Sequence, residues 1–115
     1  MSRHDGEVHL RHMLDYAREA MELASGKTID DLRRTRLLQL GLIRLVEVIG
    51  EVASKVSPEG QSRVPAIPWI DVVGMRHRLI HGYDKIDLNV LWGTIQNDLP
   101  RLVAELTKVL GASPR

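Results

Sequence analysis

Apolar residues recur along this chain at alternating intervals of three and four, the signature of helices with one buried face. Leu10, Leu14, Ala17, Met21 and Ala24 mark a first helix over residues 5–25, which Gly26 is placed to stop. A second opens at Thr28, with Asp31 three residues later in a capping-box arrangement. It carries Leu38, Leu42, Leu45, Ile49, Val52 and Val56, flanked by a neighbouring stripe of Ile43, Val46 and Ala53. So wide an apolar arc predicts packing on two sides, inside a bundle or against another subunit. Ser57-Pro58 and Gly60 end this helix. A third starts around Pro68 and stops near Gly82. The fourth begins after Asp87, a good N-cap, and follows Leu88, Leu91, Ile95, Leu99, Leu102, Leu106 and Val109 to about Leu110. Pro100 lies within that last pattern and should kink the helix or split it. There is no strand pattern, internal repeat or linker. The expectation is an all-α protein, an antiparallel up-and-down bundle of four to five helices with a kinked or split last helix, forming a single domain over residues 1–115.

Composition narrows the chemistry. Phe is absent and aromatic residues make up 3% of the 115, so the core must be built from Leu, Ile, Val, Ala and Met. The formal net charge of +1 excludes a strongly basic surface. A nucleic-acid partner would have to be held by a local arrangement of Arg and Lys. Cysteine is absent, which excludes disulfides, thiolate metal sites and Cys nucleophiles and fits a reducing cytosol. The opening residues are too polar for a signal peptide, and no apolar run approaches the roughly 20 residues that span a bilayer. A cytoplasmic protein without a membrane anchor is expected.

The third helix is where the pattern departs from what a simple bundle needs. Trp69, Val72, Arg76, Leu79 and Tyr83 alternate by three and four, which sets Arg76 on an otherwise apolar stripe. A cation among apolar residues is costly unless it is paired or has a task. His77 and His81 are four apart on the adjoining face. Arg76 and His81 point roughly 140° apart on a straight helix. They converge if the helix ends near His81, or across a two-fold axis where each subunit supplies part of a shared cleft. These residue types suit RNA cleavage through the substrate's own 2′-hydroxyl. His serves as acid or base near neutral pH, and an Arg fork stabilises the charge that builds on the phosphate. No metal or other cofactor is required, and dependence on the 2′-OH selects RNA over DNA. Two plainer readings stand beside this one: an ordinary polar cluster at a helix end, and a zinc site on His77 and His81, which lacks a third ligand.

The stretch Arg76-His77-Arg78-Leu79-Ile80-His81-Gly82-Tyr83 resembles the signature of the HepT-like toxins of the HEPN superfamily: Arg, a polar residue, a short spacer, His, any residue, Tyr. Ile67-Pro68-Trp69 before it, Asp87-Leu88 and Asn97-Asp98-Leu99-Pro100 after it, and the earlier run Leu45–Ala53 are similar to that family as well. The resemblance implies a homodimeric helical bundle with metal-independent endoribonuclease activity, neutralised by a nucleotidyltransferase antitoxin that adenylylates the motif tyrosine. Carried over residue by residue, it implies phosphate binding by Arg76, general acid/base catalysis by His81 and modification at Tyr83. His77 and Arg78 become supporting or phosphate-binding residues, with His77 where relatives often carry Asn.

Elsewhere the residues read more plainly. Arg44, Glu47 and Glu51 share a helical face and read as a surface ion-pair ladder, with a role in orienting the site as the alternative. Arg33-Arg34-Thr35-Arg36 reads as a solvated face that could touch RNA phosphates. His4, His9 and His12 are expected to be exposed and without function. The rival to a ribonuclease is a non-catalytic partner or nucleotide-binding subunit of a nucleotidyltransferase, and beyond that a purely structural dimer.

Overall fold

The computed structural model describes residues 3–79 and 85–111, with side chains from residue 6 onward. Helix α1 (Arg3–Ala24) packs chiefly against α3 (Arg36–Ser54) and α8 (Leu99–Leu110). Leu10, Leu14, Ala17 and Ala24 are buried as their spacing demands, and Met13 and Ala20 are fully buried beside them. Neighbours on several sides explain the extra burial, and they also overturn one expectation. His12 is exposed, but His9 is half-buried, with an Nδ1 that has no hydrogen-bond partner among the described residues. The side chain of His4 lies outside the described residues.

The second helical pattern is cut in two. Thr28 caps α2 (Ile29–Arg34): its hydroxyl accepts from the Asp31 N–H at 3.1 Å, and the Asp31 carboxylate accepts from the Thr28 N–H at 2.8 Å. Those hydrogen bonds hold the Asp31 carboxyl below its ordinary value, because they favour the charged form. Extended backbone at Thr35 then separates α2 from α3. The Gln39 amide reaches back across this break to the carbonyls of Leu32 and Arg33. Within α3 the buried stripe is Leu38, Leu42, Val46, Ile49 and Ala53, with Leu45 and Val52 on its shoulder.

Helix α3 closes earlier than expected, at Ser54 with Lys55 as its cap, and Ser57 and Pro58 instead open α4 (Pro58–Arg63), in which the Ser57 hydroxyl accepts from the Gly60 N–H at 3.1 Å. This turn has no apolar period, and only its cap marks it. The Trp69 indole N–H donates to the carbonyls of Val64 and Gln61, tying the next helix to α4. That helix is again two pieces, α5 (Trp69–Val73) and α6 (Met75–Leu79), divided at Gly74. The last pattern is α7 (Leu88–Gly93), a π-helical turn over Thr94–Asp98, and α8. Asp87 caps α7 through the N–H groups of Asn89 and Val90. The Leu99 N–H bonds to the Thr94 carbonyl, so the wider turn takes up the break that Pro100, with no N–H to give, imposes.

The result is an all-α bundle with no strand among the described residues. Arg18 meets Thr107 and Arg11 the Leu110 carbonyl, so α1 and α8 run antiparallel. Glu47 meets Arg76 and Gly50 approaches Val72 and Val73, so α3 is antiparallel to α5 and α6. No helix among the described residues is long and apolar enough to cross a membrane.

Candidate active site

Gly74 sets the phase of the motif helix. From Val72, a buried partner can stand at either residue 75 or residue 76, and the apolar Met75 takes the position. Val72, Met75 and Leu79 face the core, and Arg76 does not lie on their stripe. Its side chain is 59% exposed and stands at the rim of an open cleft. The expectation of a cation among apolar residues is thus corrected: the apolar neighbour absorbs the burial and leaves Arg76 free to meet a ligand.

The opposite wall of the cleft is α3. Gly50 makes the approach possible, since a Cβ there would stand 3.3 Å from the carbonyl oxygens of both Val72 and Val73. The cleft, about 430 Å³, is lined by Arg44, Glu47, Glu51 and Ser54 on one side and by Val73, Arg76 and His77 on the other. The two oxygens of Glu47 serve different arginines. Oε2 pairs with Arg76 Nε at 3.6 Å and Oε1 with Arg44 Nη1 at 3.6 Å. Glu51 lies 3.9 Å from the same Arg44 nitrogen. The ladder on α3 is therefore real, but it extends across to the motif helix, a link that spacing within α3 does not reveal. Ion pairs this exposed contribute little to stability, about 0–1 kcal/mol, so their interest is geometric.

His77 joins Arg76 in this cleft, whereas Arg78 turns to the other side of α6. There it pairs with Asp98 of the π turn at 3.7 Å and borders a second cavity of about 230 Å³ floored by Ile67, Val72, Met75 and Leu102. Arg76 and Arg78 thus serve different faces. His81 and Tyr83, and with them the convergence of Arg76 on His81, lie outside the described residues. Among the described residues no cluster of His, Cys, Asp and Glu could hold a metal ion. In the basic run, Arg33 pairs with Asp30 at 3.1 Å and donates to Asn89 of α7, while Arg36 donates to Gln39.

Fold and cleft together define a small helical-bundle protein that presents an oriented arginine beside an open groove. Comparison with known proteins makes this specific. The HepT-like ribonuclease family matches residues 13–109, and the chain belongs to that family. It is 33% identical over 105 residues to the provisionally named ribonuclease HepT of Thermococcus cleftensis, covering 88% of this chain and 94% of that protein. A provisionally named RNase of Methanocaldococcus jannaschii is 28% identical, over 92% of this chain and 97% of its own length. A second protein of that organism, named as a gamma-glutamylcyclotransferase and provisionally as an RNase, is 32% identical over 94% of this chain. The chain spans about half the length of that relative, 49%. No solved structure matches.

Proposed function

We propose that the protein is an endoribonuclease toxin that cleaves RNA without a metal, and that a nucleotidyltransferase antitoxin silences it by adenylylating Tyr83. The observation that carries the reading is Arg76, exposed at the rim of an open cleft and paired through Nε, five residues before His81 in a chain of the HepT-like ribonuclease family. His81 takes the proton from a ribose 2′-OH, whose oxygen attacks the neighbouring phosphorus. The P–O5′ bond breaks as a proton is returned to the leaving oxygen, and the products are a 2′,3′-cyclic phosphate and a 5′-hydroxyl. Arg76 donates to the phosphate oxygens as charge builds on them. DNA has no 2′-OH and is not cut.

A homodimer suits this chemistry, because one His81 can accept the proton while the partner subunit's His81 supplies the other. Exposed apolar residues support it. Leu37 (80% exposed) and Leu40 lie on the α3 stripe that continues into Arg44 and Glu47, and Ile70 (89% exposed) and Val73 lead along α5 toward His77. An apolar margin of this kind beside a polar cleft fits an interface that would place two sites together. Adenylylation of Tyr83 would bring a phosphate beside Arg76 and occupy the place of the RNA backbone.

The test is cleavage of transfer and messenger RNA by purified protein in EDTA, with mass spectrometry showing an unmodified Tyr83. Wild type is expected to leave 2′,3′-cyclic ends, and Arg76→Ala and His81→Ala to lose at least about 100-fold in rate. If unmodified wild type leaves every RNA intact, catalysis is refuted and the partner-subunit reading takes its place.

A further inference from the structure

Three features remain outside that mechanism: the second cavity beside Arg78, the apolar margin, and the carboxylate shared by two arginines. The last carries an inference. Glu47 is 27% exposed, the least accessible charged side chain of its ion-pair group, and its oxygens point at Arg44 and Arg76 from one place on α3. Engagement at Nε uses the inner edge of the Arg76 guanidinium. The Nη1 and Nη2 edge, the fork that matches two phosphate oxygens, has no ion-pair partner among the described residues. Arg44 is 67% exposed and is held on the other oxygen of the same carboxylate. Two cations therefore face each other across the cleft, one on each wall and joined through one carboxylate, within reach of neighbouring phosphates of a single strand.

We infer that Glu47 is the positioning residue for Arg76, and that Arg44 is a second RNA-binding residue contacting the phosphate next to the one attacked. This rests on the ribonuclease reading and assigns two residues of the cleft beyond the signature. Glu47 stays on Arg76 throughout. Glu51, 63% exposed and 3.9 Å from Arg44, is the carboxylate that yields when RNA arrives. The two acidic residues of one helical face thus act in opposite senses, which a plain surface ladder does not do. If Glu47 were only a surface charge, neutralising it would ease RNA binding as neutralising Glu51 does.

The experiment compares Glu47→Gln, Glu51→Gln and Arg44→Gln with wild type, with circular dichroism as the check on folding. Readouts are kcat and KM on a short single-stranded RNA, affinity for its uncleavable 2′-O-methyl analogue, and the Arg76 Nε–H resonance in the free protein. Glu47→Gln is expected to lower kcat about 10- to 100-fold without weakening analogue binding, since a displaced catalytic group costs rate. It should also move the Arg76 Nε–H resonance toward that of a solvated arginine. Glu51→Gln is expected to tighten analogue binding and leave that resonance in place. Arg44→Gln is expected to raise KM and reduce the salt dependence of analogue binding by about 0.7 in log–log slope, the share of one phosphate on a single strand. If Glu47→Gln behaves like Glu51→Gln, the positioning role is overturned. An unchanged salt slope in Arg44→Gln removes that residue's assignment. Should wild type cut no RNA, the ribonuclease reading fails by itself. The resonance then decides for Glu47, since movement sustains positioning and constancy overturns it, and the salt slope likewise decides for Arg44.

Discussion

Gly50 offers the sharpest test of how the cleft is built. It sits in mid-helix, where glycine costs roughly 1 kcal/mol relative to alanine, so replacing it should by itself strengthen α3. Against this stand two backbone oxygens, of Val72 and Val73, each 3.3 Å from where a Cβ would be. For alanine the contact is tight, but a few tenths of an ångström relieve it, and the two effects nearly cancel. Gly50→Ala is therefore expected within about 1 kcal/mol of wild type. Valine adds γ-carbons about 1.5 Å further out. Carbonyls of α5 cannot rotate away as a flexible side chain could, so the helix itself must shift. Overpacking of this kind costs typically 1–3 kcal/mol, against a propensity gain of about 0.4 kcal/mol. Gly50→Val should thus fall about 1–2.5 kcal/mol below wild type, a drop in melting temperature of roughly 4–10 °C for a domain of this size. Urea denaturation, with the midpoint falling and the slope unchanged, measures it. The shift should also part Glu47 from Arg76, so activity should fall even at temperatures where the variant is folded. A Gly50→Val protein as stable as Gly50→Ala would refute the claim that this glycine sets the distance between α3 and the motif helix.

Other expectations concern the core, the cap and the apolar margin. Leu42 is fully buried, so Leu42→Ala should cost about 2–5 kcal/mol in the same denaturation assay. Ile70→Lys, at an 89% exposed position, should leave the fold intact and instead weaken self-association in sedimentation velocity; an unchanged dimer would exclude that part of α5 from the interface. The lowered Asp31 value implies a contribution to stability that is present above the ordinary carboxylate value of about 3.9 and lost as pH falls below it through the folded-state value. Stability of wild type relative to Asp31→Asn should therefore shrink below about pH 4 and be level above it. At neutral pH, Thr28→Ala should cost about 1 kcal/mol, because it removes the hydroxyl that accepts from the Asp31 N–H.

Much of this molecule is legible in local order. The helical periods, the Thr28 capping box, the Asp87 cap and the disruption at Pro100 follow from rules that act within a few residues, and each has its counterpart in the fold. The turn α4 escaped because its residues bury no apolar stripe, although Ser57-Pro58 carried the cap signal. The motif Arg76–Tyr83 is visible in the chain as a pattern, while the surroundings of Arg76 are not. Period alone allows either Met75 or Arg76 to follow Val72 into the core, and packing chose the apolar residue, since burying a methionine is favourable and burying an unpaired guanidinium is not. Likewise Arg44, Glu47 and Glu51 could be recognised as one charged face, but not as the wall facing Arg76. That contact joins residues 29 positions apart, and it exists because an antiparallel crossing with glycine at its closest point brings two helices together. Helices are specified by neighbours along the chain, whereas the cleft depends on the distance and angle between helices, which only the packed tertiary structure defines.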